Sequence, residues 1–155
     1  MPTMEEKLDA LGLALPPPCP RGRFAPFRRS GDLVFLSGQI YEWNGRVTLE
    51  GPVDGAVTAN AAREAAKTFA LNLLYCLRLA CEGELDRVSA VLRLGGFVKC
   101  APGFDKTPFV IDGATDVFID LFGDAGIHAR TAVGACELPG NAAVEADAIV
   151  ELMPA

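Results

Sequence analysis

Arg130 and Glu145 are the residues in this chain whose types and placement suggest a reaction centre. Arg130 falls on one expected strand and Glu145 on the next. Arginine suits a carboxylate because its planar fork donates two parallel hydrogen bonds. Glutamate in a partly closed site relays protons or positions water when its pKa is tuned. The competing reading is a surface ion pair, worth about 0–1 kcal/mol. Other chemistry has few parts to draw on. There is no G-x-G-x-x-G segment, no phosphate loop with its lysine and no G-x-S-x-G turn. His128 is the only histidine, so metal sites built on several imidazoles are excluded, and a Ser-His or Cys-His system would have to use it. Nothing beside it resembles a nucleophile turn, and it reads as a polar loop residue ahead of a strand. Cys19, Cys76, Cys81, Cys100 and Cys136 form no C-x-x-C pair, and their odd number suits reduced thiols. No cofactor is expected.

The elements that must position these residues follow from periodicity. Thr3 and Glu6 form a capping box ahead of Leu8, Leu11 and Leu15, which predicts a short helix ending before Pro16-Pro17-Pro18. Leu33–Leu36 is a strand closed by Ser37-Gly38. Ile40–Trp43 and Arg46–Leu49 flank Asn44-Gly45, a strong hairpin signal. Val57 to Cys81 lacks Gly and Pro and carries Ala61, Ala65, Phe69, Leu73 and Leu77 at i, i+4 steps, a long helix with Thr58 as N-cap and Gly83 beyond its end. Val88–Cys100 is a strand in which Gly95-Gly96 marks a bulge or a close backbone approach. Asp112–Phe122 predicts a second helix, Arg130–Leu138 a strand, Pro139-Gly140-Asn141 a turn and Ala143–Leu152 a last strand. The last strand alternates Val144, Ala146, Ala148, Val150 and Leu152 against Glu145, Asp147, Ile149 and Glu151. If Pro139–Asn141 is a hairpin turn, Arg130 and Glu145 share a sheet region, though far apart in register. The order of elements fits an α+β domain with a mixed or antiparallel sheet and both main helices on one face.

Composition bounds the rest. The 155 residues, half of them hydrophobic and 22% charged, suit one domain spanning 1–155, with 1–20 as a helical, proline-rich extension. A mean hydropathy of +0.26 is high for a monomer of this length. No apolar stretch approaches the ~20 residues needed to span a bilayer, so burial between subunits is the expected cause and no membrane partner is expected. Charges run through Met1–Leu13, which argues against an export signal and makes the cytoplasm the expected location. A net charge of −6 speaks against nucleic acid. Arg21, Arg23, Arg28 and Arg29 are a local exception, read as a solvated edge, a subunit contact or an anion patch.

Two blocks carry a resemblance. Leu33-Val34-Phe35-Leu36-Ser37-Gly38-Gln39 resembles the early strand and Ser-Gly-Gln turn of the Rid/YjgF family. His128-Ala129-Arg130-Thr131-Ala132-Val133, then Leu138-Pro139, then Val144-Glu145-Ala146-Asp147-Ala148-Ile149, resembles its C-terminal signature. The similarity covers about Gly22 to Leu152, and the added Val110–Ala129 segment and N-terminal helix resemble a longer subgroup. The resemblance implies a chorismate-mutase-like, trimeric α+β fold with ligand sites in clefts between subunits. It also implies a hydrolase acting on C=N bonds, which converts reactive 2-imino or enamino acids to 2-oxo acids and ammonia. Arg130 would clamp the substrate carboxylate, Glu145 would activate water, and backbone amides near Gly38 and Ala132 would hold polar atoms of the ligand. Phe24 stands where the family usually has tyrosine, Ala132 where the deaminases often have cysteine, and Cys100–Pro102 where they carry a polar residue. Two further readings stay open: a non-catalytic trimer binding small carboxylate metabolites, and a ribonuclease resting on the Arg21–Arg29 cluster.

Overall fold

A computed structural model describes residues 1–16 and 22–155. Helix α1 (Met4–Ala10) begins at Thr3, whose hydroxyl accepts from the Glu6 amide while the Glu6 carboxylate accepts from the Thr3 amide. It is shorter than its leucine spacing predicts. Gly12 takes a left-handed φ of 67° and turns the chain, leaving Leu11 exposed and only Leu8 in the core. Pro17, Pro18, Cys19 and Arg21 lie outside the described residues.

Strands β1 (Phe27–Ser30) and β2 (Leu33–Ile40) are antiparallel. β2 runs straight through Ser37-Gly38, where a strand end was expected, because a bulge absorbs them. Leu36 pairs with Ala148 and Gln39 with Ala146, so three steps on β2 match two on its partner. The hairpin β3 (Glu42–Trp43) and β4 (Arg46–Val47) turns on Asn44 and Gly45, both at positive φ. Helix α2 (Ala59–Ala80) is capped by the Thr58 hydroxyl. Strand β5 (Val88–Lys99) leads to α3 (Thr107–Phe122), β6 (Ala129–Ala135) and β7 (Val144–Leu152). α3 starts five residues before the predicted Asp112, since Pro108 occupies its first turn, where a missing N–H costs nothing.

The main sheet has the order β1-β2-β7-β5-β6, antiparallel except for the parallel pair β5–β6. This corrects the expected pairing of the last two strands. Pro139–Asn141 is a 3-10 turn rather than a hairpin, and β5 lies between β6 and β7. A parallel β5–β6 pair needs a crossover, and α3 supplies it. The bulges of β5 fall near Ala90 and Leu92; Gly96 instead gives a close approach, since a Cβ there would lie 2.7 Å from Ile111.

Both long helices cover one face of the sheet, as the pattern predicts. Along β7 the even-numbered residues are buried under them and the odd-numbered ones are half-buried on the other face. Phe69, Leu73, Leu77, Phe118 and Leu121 fill the helix–sheet layer with no exposure. Each contributes about 1.5–3 kcal/mol by leaving water. The uncovered face carries Phe35 and Val133, 43% and 41% exposed, beside the carboxylates of β7. Among the described residues, no helix is long and apolar enough to cross a membrane.

Candidate functional site

Paired residues on neighbouring strands share a face, so register decides where Arg130 and Glu145 point. Arg130 pairs with Leu94, and Leu94 with Ala148; both partners are buried under the helices. Glu145 pairs with Phe97 and has the opposite parity from Ala148. The two side chains therefore leave opposite faces of the sheet. Two strand spacings and three residues of offset put their Cα atoms roughly 14 Å apart. One chain does not bring them to one ligand.

Glu145 stands with Gly38. The β2 bulge sets Gly38 against it so closely that a Cβ on Gly38 would lie 2.6 Å from Oε1. Burial pushes the half-buried Glu145 carboxyl above its ordinary range, and the negative charge of Asp147 on the same face adds to this. The bulge is tied down by Ser37, whose hydroxyl donates to the Ala25 carbonyl at 2.6 Å and whose amide donates to Pro26. Phe24 lies in that same entering loop and is 65% exposed. Gly38 and Glu145 thus meet where β2 and β7 pair, and Phe24 precedes the Ala25 carbonyl that holds Ser37. Asp147 meets Arg93 Nη1 at 3.8 Å, and Arg93 donates to the Thr131 hydroxyl, which occupies the middle of this face.

Arg130 stands with Ala132 on the helix side of β6. Its Nη1 donates to Asp112 Oδ1 at 2.7 Å and to Thr115 Oγ1 at 3.0 Å, and Nη2 donates to the Pro108 carbonyl at 3.4 Å. Thr107 donates its hydroxyl to the Ala132 carbonyl. His128, expected as a polar loop residue, extends this group. Nδ1 lies 2.7 Å from the Gly126 carbonyl and Nε2 3.1 Å from Thr115 Oγ1. A carbonyl only accepts, so Nδ1 carries the proton and the neutral ring accepts from Thr115 at Nε2. Burial, and then the Arg130 charge, hold the His128 pKa below its ordinary value.

Cys100 lies just past the end of β5. Its amide donates to Ala135 and its sulfur rests where Gly134 lacks a side chain. Burial raises its pKa. It is separate from both groups, and among the described residues no cluster of three or more His, Cys, Asp or Glu side chains could hold a metal.

The sequence reading missed Asp112, Thr115 and Arg63 as neighbours of Arg130. Asp112 and Asp116 at i, i+4 on a helix, facing Arg63 across the α2–α3 contact, were the available signal. It is weak, because charged pairs at that spacing usually face solvent.

The comparisons agree with this fold. The family described as "YjgF/chorismate mutase-like, putative endoribonuclease" matches residues 5–152. Protein TCP17 of Trypanosoma cruzi is 36% identical over 147 residues, covering 94% of this chain and 91% of that protein. The crystal structure of Atu1372 from Agrobacterium tumefaciens is 38% identical with a TM-score of 0.90, covering 97% of this chain and 94% of that one. Escherichia coli TdcF, solved with bound serine, is 20% identical with a TM-score of 0.59, covering 89% and 94%, and shows the fold alone. The chain belongs to the YjgF/chorismate mutase-like family.

Proposed function

We propose that the chain is an imine/enamine deaminase that hydrolyses 2-imino or enamino acids to 2-oxo acids and ammonia. The observation that carries this reading is Glu145: a half-buried carboxyl with a raised pKa, set against a glycine that leaves its oxygens room. A carboxyl whose pKa is raised gives up its proton less readily and takes one more readily, which suits a proton relay. In the reaction, water adds its oxygen to the imine carbon while Glu145 takes a proton from that water and a proton is delivered to the nitrogen, giving a carbinolamine. Glu145 then relays the carbinolamine's hydroxyl proton to the amine, the C–N bond breaks, the C=O bond of the 2-oxo acid forms and ammonia leaves. Arg130 anchors the substrate carboxylate, and backbone groups at Gly38 and Ala132, with Phe24, line the ligand site; Cys100, separate from both groups within one chain, joins them only from a neighbouring copy.

This reading requires a further copy of the chain, which the family resemblance makes a homotrimer. Arg130 and Glu145 leave opposite faces of one sheet, so one ligand reaches both only where a second copy supplies one of them. The uncovered sheet face, with Phe35 and Val133 exposed, supports such packing.

Imines generated in situ by an amino-acid oxidase test the proposal. Purified protein is expected to speed ammonia release, and Glu145→Gln to slow it by about 10²-fold. Release unchanged by the wild-type protein sinks the reading.

A second reading, a non-catalytic trimer for small carboxylate metabolites, draws on Phe24, which has no hydroxyl, and on the serine held by TdcF. Carboxylates that raise the Tm without turnover, and fail to do so in Arg130→Ala, would favour it. A ribonuclease is opposed by the net charge of −6.

A further inference from the structure

Arg130 is not a free cation. Its Nη1 already holds Asp112 Oδ1 at 2.7 Å. The other oxygen of that carboxylate, Oδ2, lies 4.0 Å from Nη1 of Arg63 on α2. Arg63 is fixed in place: Nη2 donates to Asp116 at 2.9 Å, Nη1 to the Phe109 carbonyl, and its guanidinium stacks 4.7 Å over the Phe109 ring. One carboxylate thus stands between two anchored arginines, in contact with one and at the edge of contact with the other. Asp112 is also the most exposed of the three, at 42% against 21% for Arg130 and 29% for Arg63. A two-torsion side chain at the surface moves more cheaply than either half-buried, multiply bonded fork.

We infer that Asp112 is an internal competitor for any ligand carboxylate at Arg130, and that Arg63 receives Asp112 when a ligand displaces it. The inference rests on the reading that Arg130 anchors a ligand. A carboxylate arriving at Arg130 exchanges one charge-assisted pair for another, so its gain is only the difference between them. Transfer of Asp112 to Arg63 keeps the displaced charge paired and makes the exchange affordable. Asp112 thereby sets how strongly the site prefers a carboxylate over its uncharged counterpart.

Calorimetric titration of the full chain with 2-oxobutanoate, and with its uncharged amide, tests this. Asp112→Asn keeps the shape and removes the charge. It is expected to bind 2-oxobutanoate roughly 3- to 10-fold more tightly while leaving the amide unchanged, a difference of about 0.6–1.4 kcal/mol. Arg63→Gln is expected to weaken 2-oxobutanoate by a similar factor, and to have no effect once Asp112 is already Asn, because Arg63 acts through Asp112. A merely structural role would lower affinity in both single variants. Asp112→Ser, with the same expected sign, serves if the Asn variant does not fold. Equal or weaker binding in the Asp112 variants, no binding by any protein, or an Arg63 effect that persists without Asp112, overturns the inference. Arg130→Ala with unchanged affinity rejects instead the anchor reading beneath it.

Discussion

Gly38 lies against the Glu145 carboxyl, so close that a Cβ would come within 2.6 Å of Oε1. The atom it would meet is the far end of a flexible side chain, and Gly38 is not at positive φ. Gly38→Ala should therefore leave stability within about 1 kcal/mol of wild type. The carboxyl must shift, however, and a displacement of about 1 Å in a reacting group costs ~10²-fold in rate. Paired melting and imine-hydrolysis assays are expected to show a near-native Tm with strongly reduced turnover. Native turnover would show that the carboxyl position is immaterial.

Glu145 also gives a pH signature. Its pKa is raised by burial first and by Asp147 second. The folded protein then binds the proton more tightly than the unfolded chain, so stability falls as pH rises from the ordinary glutamate value through the raised one. Above that window the full cost of burying the charge is present. Glu145→Gln removes the titration, so the variant is expected to exceed wild type in urea midpoint at pH 7.5, with the gap closing as pH falls toward 4. A variant less stable at both pH values would show that the ionised carboxyl is supported.

The fold was legible where burial follows a simple period. The alternation of β7 and the Ala/Leu face of α2 state which side meets the core, and the structure keeps both. The partner of β6 was not legible, because Pro139-Gly140-Asn141 looks the same in sequence whether it closes a hairpin or leads to a strand one place further off. That placement depends on α3 carrying the chain between two parallel strands, a long-range effect. The site divides in the same way. The Arg130–Glu145 spacing is local text, whereas the opposite facing of the two side chains and the capture of Arg130 by Asp112 appear only once β5 separates the strands and α3 packs over β6.

His128 should govern stability on the acid side of neutrality. Its pKa is lowered by burial and then by Arg130. The unfolded chain binds the proton more readily, so the stabilising effect of the neutral ring is complete above the ordinary value of 6.5 and is lost as pH falls through the depressed one. Protonation also deprives Thr115 of its acceptor at Nε2 and places a second cation beside Arg130. His128→Gln is expected to be less stable than wild type at pH 7.5 but to show a flatter fall in Tm between about pH 6.5 and 5. Parallel slopes in the two proteins would assign the acid sensitivity elsewhere.

Thiol reactivity should divide the cysteines by burial. Cys76 and Cys81 are buried within α2 and at its end, where desolvation pushes both thiols to about 11, so almost no thiolate forms at neutral pH. Cys100 is raised for the same reason and only partly exposed, while Cys136 is exposed. Among the four described cysteines, brief iodoacetamide treatment of the folded protein at pH 7.5, mapped by peptide mass, is expected to modify Cys136 first and Cys100 more slowly. Cys76 and Cys81 should react only after unfolding. Early modification of either would show that α2 opens readily.

Gly113 on α3 marks a close approach of the two long helices, since a Cβ there would run into the Arg63 carbonyl on α2. Two effects oppose each other in Gly113→Ala. Helix propensity favours alanine by about 1 kcal/mol. The clash is with backbone, which cannot rotate away, and such overpacking costs about 1–3 kcal/mol or more. The clash is expected to win by about 2 kcal/mol, lowering Tm by roughly 4–8 °C. Parting the helices also draws Arg63 from Asp112 and Asp116. Asp112 then loses the arginine that would receive it on displacement from Arg130, so carboxylate affinity should fall along with stability. A Gly113→Ala protein that melts at or above the wild-type temperature would show that the helices separate without cost and that this glycine sets nothing at the α2–α3 contact.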